Sequence, residues 1–425
     1  MHGSVPLDDG RPPVTRDCPR PSLVTSKGTA ISADVTAATD APGARGLGQE
    51  GTDFDLHGIV GIRVVGARPS DVAVVGRQLG PLPRHLERDP DIVIRFVDRI
   101  ETGSRLRYLG AREIGWTDDA LFVLKSRKES AMVRIPMDRI GGPCELVCER
   151  GLPAVPFLIA ILNLTALVNG ALPLHAGAFE LDGRGVLVTG WSKGGKTELL
   201  MAAAGAGARY IGDEWVYLTG DGRMHGIPEP VRLWDWHLAQ LPEVRRTLGA
   251  GDRLKLAGIP TLGKMERAMP RAVRRSAPGR LYHRAMPLLA SQAHVDVPAD
   301  RLFGELGSLS GPLDHVLFVV AAAGPDITVA PIAPEEVAQR MAFSLLHERL
   351  DLAALYQQAR FAFPSLVNRH LDDADGIQRE RLLTLLADRP AHVVTHPYPV
   401  DLGALLDAVR PVLQDLAAQG TDRAR

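Results

Sequence analysis

The sequence predicts an α/β protein, and three observations support this fold class. Short apolar runs typical of buried strands, such as residues 185–189 and His315–Ala321, alternate with helical segments. A glycine-rich loop joins the first of these runs directly to a helical segment at 198–206. A length of 425 residues is enough for more than one domain.

Composition divides the chain into four segments. Residues 1–52 are rich in Gly, Pro, Ser, Thr, Ala and Asp, and we expect a disordered tail, because such a segment buries too little apolar surface to offset its ordering entropy. For residues 53–150 we predict a small N-terminal α/β or mostly β domain. Residues 151–330 carry the informative motifs, and residues 331–425 predict a mostly helical C-terminal extension.

Apolar periodicity predicts the elements of the N-terminal domain. Residues 58–65 and 91–97 are apolar enough for buried strands, and 71–79 suits a short helix between them. Residues 121–124 and 131–135 predict a hairpin. No motif in this domain indicates chemistry.

The stretch 153–174 is apolar, uncharged and long enough to span a membrane. Prolines, asparagines and a glycine interrupt it, so we predict a buried helix that leads into a buried strand. Farther on, 334–349 has the proline and acidic residues of a helix start. We predict a strand at Ala391–His396 and an amphipathic closing helix at 402–416.

Charge and cysteine content point to a cytoplasmic protein. Lys and Arg number 49 against 50 Asp and Glu, a balance that does not predict nucleic acid or a membrane as a partner. The chain has three cysteines, Cys18, Cys144 and Cys148, too few for a disulfide scaffold. Cys144 and Cys148 lack a second pair of zinc ligands nearby, so we favour reduced thiols over a zinc site. The sequence does not determine the oligomeric state, and a homo-oligomer is one of the states that it allows.

A phosphate-binding P-loop is predicted at residues 190–197. The pattern G-x-x-x-x-G-K-[ST] is matched by Gly190, Gly195, Lys196 and Thr197, between an apolar strand and a helix. The backbone of such a loop turns its N–H groups toward phosphate oxygens, the lysine reaches the β- and γ-phosphates, and the hydroxyl serves Mg²⁺. The predicted nucleotide-binding residues are Gly190, Ser192, Lys193, Gly194, Gly195, Lys196 and Thr197.

An acidic pair and a histidine accompany this loop. Asp213 and Glu214 interrupt the apolar run 210–218, where two carboxylates are costly unless a cation or a proton-transfer role occupies them. We favour a metal ligand plus a general base, since phosphoryl transfer to a hydroxyl needs both. A solvated turn is the other interpretation. His175 ends an apolar segment upstream of the loop, and its position suits a structural or a catalytic role equally well.

The run 174–218 resembles the HPr kinase/phosphorylase family. It contains His175, the strand with its P-loop, Glu198 directly after the P-loop threonine, and Asp213 with Glu214, in the family's order. The resemblance implies a P-loop kinase core shared with phosphoenolpyruvate carboxykinases, Mg²⁺ and ATP as cofactors, and transfer to a serine hydroxyl. It further implies that Asp213 is the general base and that Thr197 and Glu214 serve the metal. His175 and Lys196 would then lie beside the reacting phosphoryl group.

The same sequence departs from the family. Trp191 and Lys193 replace the usual loop residues, the second acid is Glu214 rather than Asp, and the family's downstream signature is missing. The substrate therefore need not be HPr. We expect a hydroxyl on a protein or peptide as the acceptor, and a small-molecule kinase or a non-catalytic nucleotide-binding regulator are the alternatives. Basic residues dominate the stretch 252–284, which we expect to be either a solvated basic loop or helix face or a mobile flap beside the γ-phosphate. Such a flap would neutralise charge during transfer or hold an acidic acceptor.

Overall fold

A computed structural model describes residues 51–102, 105–109, 113–124, 131–256 and 293–423, together with positions 258, 276, 280, 282 and 284. The described residues form a mixed α/β structure, as predicted. The predicted tail lies outside them except at its last two residues, where a strand already begins. Most of the basic stretch, including Lys264, Arg267, Arg271, Arg274 and Arg275, also lies outside. The domain boundaries near 150 and 330 stay predictions.

The described residues of the N-terminal part form a sheet of seven strands: β1 Gly51–Leu56, β2 Val60–Val65, β3 Ile92–Val97, β4 Ile114–Trp116, β5 Ala120–Val123, β6 Val133–Pro136 and β7 Cys144–Glu149. Their order in the sheet is β1-β2-β3-β7-β6-β5-β4. Helix α1, Pro69–Leu79, links the parallel strands β2 and β3. The predicted strands and helix of this region are confirmed, and so is the β5–β6 hairpin, whose strands are antiparallel.

Both described cysteines lie in β7 and are free and buried. Burial raises the pKa of Cys144 and of Cys148 to about 12, so neither side chain is a thiolate at neutral pH. Neither thiol is in a disulfide, which agrees with the expectation of two reduced thiols.

A second sheet carries the P-loop sequence. Its strands are β8 Leu172–Leu181, β9 Arg184–Gly190, β10 Arg209–Gly212, β11 Trp215–Leu218, β12 Arg223–Gly226, β15 Ser310–Pro312, β16 His315–Ala321, β17 Thr328–Pro331 and β18 Ala391–His396. The order is β15-β12-β11-β8-β9-β16-β18-β17, with β10 also paired to β8. Strands β9, β16 and β18 are parallel, and their register aligns Gly190 with Val319. A separate pair joins β13 Val231–Trp234 to β14 His294–Val297.

Helices cover this second sheet. They are α2 Leu158–Val168, α3 Lys196–Gly205, α4 Asp235–Gln240, α5 Pro242–Thr247, α6 Asp300–Phe303, α7 Pro334–Glu348, α8 Leu350–Ala362, α9 Arg369–Leu386 and α10 Leu402–Arg423. The apolar run that raised the question of a membrane span is the buried helix α2 followed by the buried strand β8, as predicted. Among the described helices, none has the length and apolarity needed to cross a bilayer.

Among the described residues, two large hydrophobic clusters hold these layers together. One extends from the N-terminal sheet through α2 to α7 and contains Ile62, Leu162 and Met341. The other packs α3 and α10 against the second sheet and contains Leu199 and Leu405. Strand β9 contributes to both clusters, so the loop at its carboxyl end is anchored from two sides.

Candidate functional site

The predicted P-loop connects β9 to α3. Its backbone has positive φ angles at Gly190 (154°), Lys193 (60°) and Gly195 (110°). A Cβ atom on Gly195 would lie 2.0 Å from Nε2 of His396, and one on Gly190 would lie 2.5 Å from the carbonyl oxygen of Val319. The two glycines are therefore required both by their dihedral angles and by the close approach of β16 and β18.

Lys196 is the first residue of α3 and only 5% exposed. Its ammonium group donates a hydrogen bond of 3.1 Å to the carbonyl oxygen of Trp191, which folds the side chain back over the loop. Burial lowers the pKa of Lys196, although the nearby carboxylates of Glu214 and Asp213 oppose this effect. A buried ammonium at this place offers a strong contact to an anion.

Thr197 and Asp213 lie next to each other. The Thr197 hydroxyl donates a hydrogen bond of 3.3 Å to Oδ2 of Asp213, which sits in the turn between β10 and β11. Asp213 is 3% exposed, and burial together with the neighbouring Glu214 raises its pKa to about 7. A carboxylate that titrates near neutral pH is suited to proton transfer.

The side chain of Glu214 points toward His175, whereas that of Asp213 points toward Thr197. Glu214 has a left-handed backbone with φ of 62°, and its Oε2 lies 3.0 Å from Nε2 of His175. The paired strands β8 and β11 fix this arrangement, because Trp215 lies opposite His175 in their register. The hydrogen bond to His175 is the largest reason for the lowered pKa of Glu214.

A second carboxylate reaches the same histidine. Oε1 of Glu348, the last residue of α7, lies 2.6 Å from Nδ1 of His175. Burial by itself lowers the pKa of His175, but the hydrogen bonds to Glu214 and Glu348 outweigh burial and raise it. Because both ring nitrogens face carboxylates, the imidazolium form satisfies both contacts. The sequence predicted the helix that carries Glu348 but gave no sign of its contact with His175.

His237 adds a further interaction that the sequence analysis missed. The backbone N–H of Trp234 donates to Nδ1 of His237 at 3.0 Å, so the proton of a neutral ring lies on Nε2. That nitrogen is 3.1 Å from Oε1 of Glu198, the residue after Thr197. Both His237 and Glu198 are buried. Helix α4 therefore braces the first turn of α3.

These side chains surround one cavity of about 350 Å³, here called the phosphate cavity. Its lining comprises His175, Ser192, Lys193, Gly195, Lys196, Thr197, Glu198, Asp213, Glu214, Arg232, Trp234, His237, Glu348 and Tyr398. Of the predicted site residues, Gly190 and Gly194 do not line it. Their carbonyl oxygens instead face Lys196 and His396. The cavity thus combines three Lys or Arg side chains, two histidines and four carboxylates at the N-terminus of α3, an arrangement suited to a phosphate ester.

Oxygen donors at this site match the preferences of Mg²⁺. Among the described residues, no group of three or more His, Cys, Asp or Glu side chains is placed to hold a metal by itself. Proteins usually bind Mg²⁺ through one or two carboxylates, with substrate phosphates and water completing the shell. The Thr197 hydroxyl and the Asp213 carboxylate provide such a partial set.

Compared with models of protein families and with curated proteins, the sequence gave no match.

Proposed function

We propose that this protein is a phosphotransferase that uses Mg²⁺ and ATP to phosphorylate a hydroxyl, most simply a serine, of a protein or peptide. The observation that carries the proposal is the phosphate cavity itself. In it the Lys196 ammonium and the Thr197 hydroxyl, from the loop and helix, meet Asp213 and His175, from the sheet. The resemblance of residues 174–218 to HPr kinases supports the same assignment, and with it a P-loop kinase core of that type.

The loop and the start of α3 would hold the nucleotide. Backbone N–H groups around Ser192 and Gly195 and the helix N-terminus suit the phosphate oxygens, and Lys196 would contact the β- and γ-phosphates. Thr197 would provide a hydroxyl to Mg²⁺, which when bound neutralises phosphate charge. Glu214 remains the predicted second metal-side residue, although its carboxylate contacts His175 rather than Thr197.

Asp213 is the group that we assign to the acceptor's proton. Its pKa of about 7 lets it accept a proton from a hydroxyl at neutral pH. Its contact with Thr197 also favours a role on the metal side, and the Mg²⁺ dependence of a variant separates the two roles. His175, whose imidazolium form is favoured by its two carboxylate partners, would stabilise the negative charge of the phosphoryl group in transit.

The two alternatives make different predictions for a single experiment. The protein is incubated with Mg²⁺ and ATP labelled in the γ-phosphate, together with a cell lysate, and the products are separated into protein and low-mass fractions. Label in the protein fraction supports the proposal, and label in the low-mass fraction supports a small-molecule kinase. Nucleotide binding without any transfer or hydrolysis would indicate a non-catalytic regulator. Lys196→Ala is the negative control.

A further inference from the structure

A second cavity lies beside the His175–Glu348 contact. Its volume is about 200 Å³, and we call it the apolar cavity. Ile159 and Ala160 of α2, Leu345 of α7 and Trp215 of β11 form much of its wall. The size suits one large apolar side chain.

The segments that build the phosphate cavity also build the apolar cavity. Glu348 lines both of them. Trp215 directly follows Glu214, and its ring centroid is 5.8 Å from that of His175. Leu345 lies one helical turn before Glu348 on α7. An occupant of the apolar cavity would therefore lie next to the residues that we assign to phosphoryl transfer.

The Arg349 guanidinium and the amide oxygens of Asn163 and Gln378, on the wall of the apolar cavity, already have partners. The Arg349 guanidinium donates to Oε1 of Gln378 at 2.6 Å and pairs with Asp375. Asn163 Oδ1 accepts a hydrogen bond of 2.7 Å from the Tyr217 hydroxyl. A polar occupant would have to compete with these contacts, whereas an apolar occupant would leave them in place.

A third, polar cavity continues the path. It has a volume of about 440 Å³, shares Ile159 and Trp215 with the apolar cavity, and shares Glu214 with the phosphate cavity. Arg77, Glu229 and other polar side chains line it. A small alcohol would need only one of these spaces. A peptide segment, with several side chains in a row, matches the whole path.

We propose that the apolar cavity binds a bulky apolar side chain next to the phosphorylated serine of a peptide or protein acceptor. This inference rests on the proposed function. Burial of one such side chain would strengthen acceptor binding by about tenfold to a hundredfold. The polar cavity would receive the neighbouring polar residues of the same segment.

The test uses the full-length protein and dye-labelled peptides, each with one serine flanked by leucine, phenylalanine, glutamate or glycine. Fluorescence anisotropy reports peptide binding without ATP. We expect peptides with leucine or phenylalanine beside the serine to bind about tenfold tighter or more. Ala160→Leu fills the apolar cavity and should abolish that preference. Ala354→Leu, at an exposed position on α8, is the matched control and should retain it.

Equal binding of all peptides by the wild-type protein overturns the inference, and so does an unchanged preference in a folded Ala160→Leu variant. Transfer of labelled phosphate to small alcohols but to none of the peptides also overturns it. A separate titration with ATP decides the proposed function. Preferential binding of apolar peptides by a protein that fails to bind ATP would keep the cavity as a peptide site and refute phosphoryl transfer.

Discussion

The Thr197 hydroxyl and the Asp213 carboxylate are joined by a hydrogen bond of 3.3 Å, although one residue lies in the first turn of a helix and the other in the turn between two strands. This contact brings the P-loop and the acidic turn to a common point. A group bound to the loop would therefore lie close to the Asp213 carboxylate.

Lys196→Ala should weaken ATP binding by about a hundredfold, because it removes a charge-assisted contact to the phosphates. Isothermal titration measures the affinity, and the melting temperature shows whether the variant is folded. Arg379→Ala, an exposed charge deletion on α9, is the control and should bind ATP normally. Unchanged affinity and turnover in a folded Lys196→Ala protein would refute the P-loop assignment.

Asp213→Asn should bind ATP and reduce phosphoryl transfer by about a hundredfold or more, the usual scale for a lost general base. The measurement is initial transfer rate across a series of Mg²⁺ concentrations. A base role predicts a lower rate at every concentration. If excess Mg²⁺ restores the rate, Asp213 acts on the metal side instead.

Asp213 should also make the protein less stable as the pH rises. Its pKa is about 7 in the folded protein against 3.8 in the reference state, so the folded protein holds the extra proton between these values. The contribution to stability is complete below pH 4 and is lost as the pH rises through 7. Thermal unfolding from pH 4 to 8 should show a smaller decline for Asp213→Asn than for the wild type. Asp351→Asn, at an exposed position, should behave as the wild type.

Glu348→Gln should lower the pKa of His175, because one of its two carboxylate partners loses its charge. Titration of the ring by NMR measures this directly. If the imidazolium is the active form, the alkaline limb of the transfer rate should move to lower pH in the variant. Glu335→Gln changes an exposed glutamate of the same helix and should leave both properties unchanged. A His175 pKa that Glu348→Gln does not alter would contradict the assigned contact.

His315 should make the fold sensitive to acid. It is fully buried, and burial together with neighbouring His392 lowers its pKa to about 3. Its contribution to stability is present above pH 6.5 and is lost as the pH falls toward 3, because the unfolded chain takes up the proton first. The full effect is on the order of a few kcal/mol.

Urea unfolding between pH 7 and 4 tests this expectation. The free energy of unfolding should depend less on pH in His315→Leu than in the wild type. The exposed replacement His85→Leu should not change the slope. Equal slopes for all three proteins would show that His315 is protonated without cost.

The sequence predicted well those features whose causes are local. The P-loop glycines, Lys196 and Thr197 lie in eight consecutive residues, and their strand and helix follow from apolar periodicity. The confirmed strands and helices of both sheets have the same local origin. Asp213 was found because an acidic pair interrupts an apolar run.

Contacts between distant segments could not be predicted in this way. Glu348 reaches His175 across 173 residues, and His396 reaches Gly194 across 202. Each depends on how a helix or strand packs in three dimensions, and neither residue belongs to a recognisable local pattern. The order of strands in the two sheets was likewise not predicted, because pairing between distant strands leaves no mark on periodicity.

The packing of His396 against the P-loop has a consequence for synthesis of the protein. A ribosome releases the chain from its N-terminus, so residues 190–197 emerge long before β18 exists. Until β18 is made, His396 is missing, and the loop lacks the side chain that packs against Gly194 and Gly195. A nascent chain would therefore complete the surroundings of this loop only late in synthesis, once translation has passed residue 396.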